Sequence, residues 1–64
     1  MLPTHMRELF QRKIDEHQRQ IDFLERPGVE MWETSSGGRI NVKQRMIDFN
    51  KKAIEEYQKL LDQA

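Results

Sequence analysis

The chain has 64 residues, of which 36% are apolar and 34% are charged, with 11 basic and 11 acidic side chains. This length fits a single domain, and a chain this short usually needs a disulfide, a metal ion or a partner subunit to be stable. Cysteine is absent, which excludes disulfides and thiolate metal sites. The composition therefore favours oligomerisation.

The expected compartment is the cytoplasm, with no membrane partner. The N-terminal residues lack the apolar region of a signal peptide, and no apolar run approaches the roughly 18 residues of a membrane span. A net charge of zero makes nucleic acid a less favoured partner, because duplex-binding domains carry a basic excess on one face.

The first predicted element is a helix over residues 4–26. Pro3-Thr4 is typical of a helix start, with Thr4 as the N-cap. From residue 10 to residue 24 the apolar positions alternate in steps of 4 and 3, and the one polar member is His17. Arg26-Pro27-Gly28 is predicted to end the helix, because proline disfavours a helical residue before it and glycine suits the exit.

Residues 27–41 are predicted to form a β-hairpin or an irregular loop. Two alternating stretches, 29–34 and 39–42, flank the turn-like Ser35-Ser36-Gly37-Gly38. With those four residues as the loop, Thr34 pairs with Arg39. One face of this ribbon then carries the four apolar side chains Val29, Met31, Ile40 and Val42. A lone two-stranded ribbon is marginal in water, so this face is expected to lie on the helices.

A second helix is predicted over residues 42–63, with Asn41 and Gln44 forming a capping box. Two apolar series run along it. The first series is Val42, Met46, Phe49, Ala53 and Leu60. The second series is Ile47, Ile54, Tyr57, Leu61 and Ala64, interrupted by Asn50. Together they cover an arc wider than the roughly 100° that one helical neighbour needs, so the helix is expected to have two neighbours.

Opposite charges stand four residues apart, acid first, on both predicted helices. This spacing and order support a helix by a few tenths of a kcal/mol per pair, roughly. The predicted ion pairs are Glu8/Arg12, Asp15/Arg19, Asp22/Arg26, Asp48/Lys52 and Glu55/Lys59.

The predicted fold is mainly α, an antiparallel two-helix hairpin in α-β-β-α order whose copies assemble into a homo-oligomeric helical bundle. The second neighbour of the second helix is expected to be another copy. The predicted oligomer interface comprises Phe10, Ile14, His17, Ile21, Leu24, Ile47, Asn50, Ile54, Tyr57 and Leu61.

Catalysis, metal binding and a cofactor are not expected. The serines lie in the predicted turn, and both histidines belong to the first helix, so no nucleophile has a nearby base. His5 and His17 are 12 residues apart, roughly 18 Å along a helix. His17 is either a register-setting polar residue, a ligand contact or a pH-sensitive interface residue. Asn50 is interpreted as a register-setting polar residue.

The ribbon is the predicted partner-binding surface. Trp32 either lies exposed beside Arg39, a pairing enriched at binding hot spots, or covers the helices. The turn offers backbone N–H groups that suit a phosphate. The predicted binding residues are Trp32, Arg39, Glu30, Glu33, Ser36, Gly37, Gly38 and His17.

The order helix, ribbon, helix, with Ser36-Gly37-Gly38-Arg39 between strand-like runs, resembles the small head–tail joining proteins of tailed phages over residues 29–61. The second strand is shorter than in that family, and no residue carries the family's function over. The antiparallel hairpin also resembles RNA-binding helical-hairpin regulators in architecture alone.

The predicted function is a small, non-enzymatic, homo-oligomeric interaction protein, acting as an inhibitor, an adaptor or an assembly component, which is phage-like if the first resemblance holds. One alternative is sequestration of a phosphorylated small molecule such as a nucleotide at an oligomer interface. The other is binding of RNA or DNA by a helical-hairpin regulator.

Overall fold

A computed structural model describes residues 2–63 of the chain, and these residues form two helices joined by a two-stranded antiparallel hairpin. The elements are α1 (Thr4–Leu24), β1 (Trp32–Ser35), β2 (Gly38–Asn41) and α2 (Lys43–Asp62). The mainly helical α-β-β-α architecture is thus confirmed. Each helix end lies within two residues of its predicted position. Assembly of several copies stays a prediction.

The two helices begin differently from the prediction. Pro3, not Thr4, occupies the cap position of α1, and its carbonyl accepts hydrogen bonds from the N–H groups of Met6 and Arg7 at 3.0 and 3.2 Å. At the start of α2, Asn41 Oδ1 accepts a hydrogen bond from the N–H of Lys43 at 2.9 Å. Val42, not Asn41, occupies the cap position of α2. The predicted capping box was therefore wrong, and the Gln44 amide donates to Asp48 instead.

The core lies where the two helices meet near the ribbon. Ile21 and Leu24 of α1 and Ile47 of α2 are buried together. Val29, Met31, Met46 and Ile54 pack around these three side chains. Towards the other end of the hairpin, Phe10 contacts Tyr57 with 5.6 Å between the ring centres. The resulting molecule is elongated, with extents of 48 × 25 × 15 Å.

The ribbon has the predicted register. Thr34 lies opposite Arg39, and the next pair, Ser35 and Gly38, is also matched, so the turn consists of Ser36 and Gly37 alone. Gly38 has φ +117°, a backbone conformation that side-chain-bearing residues rarely adopt. Beyond the strands, the N–H of Val42 donates to the carbonyl of Met31 at 2.8 Å.

The ribbon projects from the helices instead of lying on them. All residues of β1 and β2 are exposed. Val29 and Met31, just before β1, pack against the core as expected, and Val42 is buried. The expectation for Ile40 was wrong, because 56% of this residue is exposed. Only the base of the ribbon is therefore covered by the helices.

The helix surfaces use amide–carboxylate hydrogen bonds where the sequence suggested ion pairs. Gln11 donates to Asp15, and Gln18 to Asp22, at 3.2 and 3.0 Å. None of the five predicted ion pairs is closed; within residues 2–63 the ion pairs join Lys13 to Glu16 and Arg45 to Glu33. Over the same residues, neither helix combines the length and the apolar character that crossing a membrane requires.

Candidate functional site

Trp32 is held in a fixed, half-exposed position on the ribbon. The register places Trp32 and Arg39 diagonally across the two strands on one face. The Arg39 guanidinium carbon lies 4.9 Å from the centre of the Trp32 ring, which is a cation–π contact. The Trp32 indole N–H donates to a Glu30 carboxylate oxygen at 3.1 Å. Tryptophan is thus preorganised while 46% of it remains exposed.

Glu33 connects the other face of the ribbon to α2. Its carboxylate pairs with the guanidinium of Arg45, in the first turns of that helix. Glu33 lies opposite Ile40 in the register, so the two share a face. Both members of the ion pair are largely exposed, and such a pair contributes at most about 1 kcal/mol. The contact therefore orients the ribbon more than it stabilises the fold.

The predicted binding residues divide between two regions of the molecule. Seven of them lie on the ribbon or just before it: Glu30, Trp32, Glu33, Ser36, Gly37, Gly38 and Arg39. At the tip, the Ser35 hydroxyl donates to the carbonyl of Gly38 at 3.3 Å. His17 lies instead between the helices. The structure of one chain therefore does not bring His17 together with Arg39 and the turn, as the phosphate-binding alternative requires.

His17 and Asn50, the two polar members of the helix-facing series, contact each other. His17 Nδ1 lies 2.6 Å from Asn50 Oδ1. The Asn50 amide nitrogen donates to the carbonyl of Met46 at 2.8 Å. The Met46 carbonyl can only accept, so the Asn50 amide nitrogen must face it and Oδ1 must face His17. Since Oδ1 also only accepts, Nδ1 of the imidazole carries the donated hydrogen. Asn50 is 0% exposed, so this pair fixes how the two helices align.

The residues predicted for an oligomer interface make contacts within one chain. The second series faces α1: Ile47 is in the core, Asn50 pairs with His17, and Tyr57 contacts Phe10. Ile14, Ile54 and Leu61 are half-buried. Ala64, the last member of the second series, lies outside the described residues. An oligomeric role for these positions stays a prediction.

The large residues of the first series that follow Met46 are exposed instead of packed between the two helices. Val42 is buried and Met46 is half-buried, but Phe49 is 65% and Leu60 is 45% exposed. These last two residues are eleven positions apart, about three full turns, so they share one side of α2. On the same side, α1 contributes Phe23, which lines a groove together with Met46. Leu9 lies about four turns from Phe23, again on one side of the helix.

We call this surface the open face: Leu9, Phe23, Phe49, Ala53 and Leu60. It contains every large exposed apolar side chain of the two helices in residues 2–63. Phe23 was not among the predicted binding or interface residues, and the first series was expected only to give the second helix another neighbour. Plotting all apolar positions of both predicted helices on an antiparallel pair would have shown Leu9 and Phe23 on the same side as the first series.

Two grooves follow the open face. The larger, of about 530 Å³, is lined by His17, Phe49, Lys52, Ala53, Glu56, Tyr57 and Leu60. The smaller, of about 370 Å³, lies nearer the ribbon and is lined by Arg19, Gln20, Phe23, Leu24, Met31 and Met46. In the larger groove, the aromatic rings of Phe49 and Tyr57 flank the imidazole of His17 at 6.4 and 6.2 Å between centres.

The comparisons with known proteins assign no family to the chain. No family model matches it, no curated protein matches it, and no solved structure matches it. Within residues 2–63, no group of three histidine, cysteine or carboxylate side chains is placed to hold a metal ion. The function must therefore be argued from the ribbon and the open face themselves.

Proposed function

We propose that this chain is a small, non-enzymatic interaction protein that self-associates through its helices and binds a partner protein through the ribbon of residues 29–41. In that role it acts as an inhibitor, an adaptor or an assembly component in the cytoplasm. The observation that carries the proposal is the ribbon itself, whose strand residues are all exposed although it contains the only tryptophan of the chain.

The preorganisation of Trp32 supports a binding role. A large aromatic side chain contributes most to an interface when it is already held in its bound orientation, because little conformational entropy is lost on association. Arg39 covers one face of the ring and Glu30 takes the indole N–H. An arginine and a carboxylate around an exposed tryptophan suit a partner surface with an apolar pocket and a polar rim.

The test is quantitative capture of partners by the purified chain and by two variants. We expect Trp32→Ala/Arg39→Ala to lose the partners that the unmodified chain retains. The matched control is Gln11→Ala/Asp15→Ala, because these two exposed side chains of α1 also contact each other, at 3.2 Å, but belong to neither the ribbon nor the open face. Equal capture by both double variants would show that the ribbon is not the binding surface.

A direct readout is available once a partner is captured. Trp32 is the single tryptophan, so the intrinsic tryptophan fluorescence of this chain reports on the ribbon alone. Burial of its exposed side in a complex should shift the emission to shorter wavelength and protect it from soluble quenchers, measured with a tryptophan-free partner or partner fragment. Binding without either change would place the contact elsewhere.

A second candidate function is sequestration of a phosphorylated small molecule in the larger groove. Its volume of about 530 Å³ lies within the range of small-molecule sites, about 300–1,000 Å³. His17 and Lys52 line it and provide polar groups for a phosphate, whereas Glu56 in the same lining opposes an anion. A thermal-unfolding series with nucleotides tests this function, because a ligand of the native state raises the midpoint. A flat response to all of them would remove this candidate.

A further inference from the structure

We propose that a second copy of this chain covers the open face, with α2 packed antiparallel on α2 of the partner about a two-fold axis near Ile54. This inference rests on the self-association in the proposed function and specifies its surface and geometry. It does not depend on what the ribbon binds.

The open face has the character of a surface that is normally covered. Four large apolar side chains, from both helices, lie along one side of an elongated hairpin with a small core. Contiguous exposed apolar surface is uncommon on small soluble monomers and marks contact sites. A chain of this length also needs more burial than one hairpin offers.

The spacing of residues on α2 points to a copy of the same helix. In an antiparallel pair related by a two-fold axis, residues at equal distances from the axis face each other. Phe49 and Leu60 are equally distant from a point beside Ile54, and so are Lys52 and Glu56, to within half a residue. One axis therefore places Phe49 against the partner's Leu60 and Lys52 against the partner's Glu56.

The charges make this face complementary to itself. Lys52 and Glu56 are exposed, both line the larger groove, and neither has an ion-pair partner within residues 2–63. In the two-fold arrangement each Lys52 faces the partner's Glu56, so two ion pairs form, one on either side of the axis. An unrelated partner would need apolar and oppositely charged side chains at matching positions, whereas a second copy of the chain already has them.

The centre of the proposed interface permits close approach of the helices. Ala53, next to the axis, has a small side chain, and helix separation depends on the side chains at the contact. Larger side chains, Phe49 and Leu60, lie further along the helix on either side. Each Phe49 is thereby directed towards the apolar end of the partner's larger groove.

The test exploits the two-fold axis through charge reversal. In a dimer of Lys52→Glu, both cross-axis pairs join two carboxylates; in a dimer of Glu56→Lys, both join two ammonium groups. We expect each variant to dimerise about tenfold more weakly, since attraction becomes repulsion twice per dimer. In an equimolar mixture every cross-axis pair is again opposite in charge. The mixture should therefore form heterodimers, which native mass spectrometry separates from the homodimers by mass when one of the two variants carries an isotopic label.

The matched control is Lys51→Glu, which makes the same charge change on the adjacent, exposed residue that points to another side of α2. It should dimerise like the unmodified chain. Circular dichroism of each variant monitors helix content, and raised salt should weaken the heterodimer. A mixture that associates no better than its components, or an unmodified chain that stays monomeric at its highest soluble concentration, would overturn the proposal. Either result leaves capture by Trp32 and Arg39 intact, so failure of the dimer and failure of the ribbon remain distinguishable.

Discussion

The two apolar series of α2 begin only five residues apart, at Val42 and Ile47, yet have opposite surroundings. The second series lies against α1, where Ile47 is 5% exposed and Asn50 is entirely buried. The first series starts buried at Val42 and emerges until Phe49 is 65% exposed. Helix α2 therefore has two apolar stripes, and α1 covers only the second series. The difference separates residues that make the fold from residues available for contact.

The largest effect is expected where the second series is most buried. Ile47→Ala should lower the free energy of unfolding by about 2–4 kcal/mol, through lost burial and the cavity that remains. Because so small a domain has little stability in reserve, the variant should be largely unfolded. Urea titration followed by circular dichroism measures the change.

The comparison variant is Phe49→Ala in the first series. Within one chain it removes mostly exposed surface, so at low protein concentration its effect should be below about 1 kcal/mol. At high concentration its stability should fall further behind that of the unmodified chain, since a partner subunit stabilises by mass action. A large, concentration-independent loss for Phe49→Ala would contradict the distinction between the series.

The polar pair within the second series provides the next largest effect. Asn50→Leu leaves the Nδ1–H of His17 without its acceptor in a half-buried position, so we expect a loss of about 1–3 kcal/mol. Adding His17→Leu should restore most of it, because replacing both partners removes the unsatisfied group. A double-mutant cycle by urea unfolding measures the coupling. Additive losses would show that the two side chains do not act as a pair.

The ribbon differs from both series because none of its strand residues is buried. A substitution there is therefore expected to affect the ribbon alone. Gly38→Ala forces an alanine into φ +117° and should destabilise the ribbon by about 1–2 kcal/mol. Gly37→Ala is the control, because a Cβ at either position meets nothing within 4 Å and Gly37 lacks the unusual φ. Trp32 fluorescence should change for Gly38→Ala alone, with helix content nearly constant. Equal responses from both variants would remove the conformational explanation.

The local elements followed from the sequence because each depends on neighbours along the chain. The 4–3 spacing from residue 10 to residue 24 predicted α1, and alternation around the glycine turn predicted the register of Thr34 opposite Arg39. Residues that depend on the relation between elements were harder to place. The pairing of His17 with Asn50 requires the offset of the two helices, and the exposure of Ile40 requires the direction in which the ribbon leaves α2.

The surface interactions were also mispredicted for a physical reason. Charge spacing indicated ion pairs such as Asp48/Lys52, but Asp48 accepts a hydrogen bond from Gln44 at 2.9 Å. An exposed side chain can form any of several contacts, each worth roughly a few tenths of a kcal/mol. Charge spacing alone therefore does not decide which contact forms. The first series was found in the sequence, but the contribution of Leu9 and Phe23 to the open face was not, because only the antiparallel packing of the two helices places them on the same side as that series.

Sedimentation equilibrium over a wide concentration range, of the unmodified chain beside Phe49→Asp and Ile40→Asp, tests whether a second copy of the chain covers the open face. Both substituted residues are apolar and more than half exposed, at 65% and 56%, but only Phe49 belongs to the open face. We predict that the unmodified chain associates reversibly to twice the 7.8 kDa mass of one chain, and that this association is lost in Phe49→Asp and kept in Ile40→Asp. A monomer at every concentration, or a dimer that Phe49→Asp leaves intact, would show that the open face is not the contact between copies.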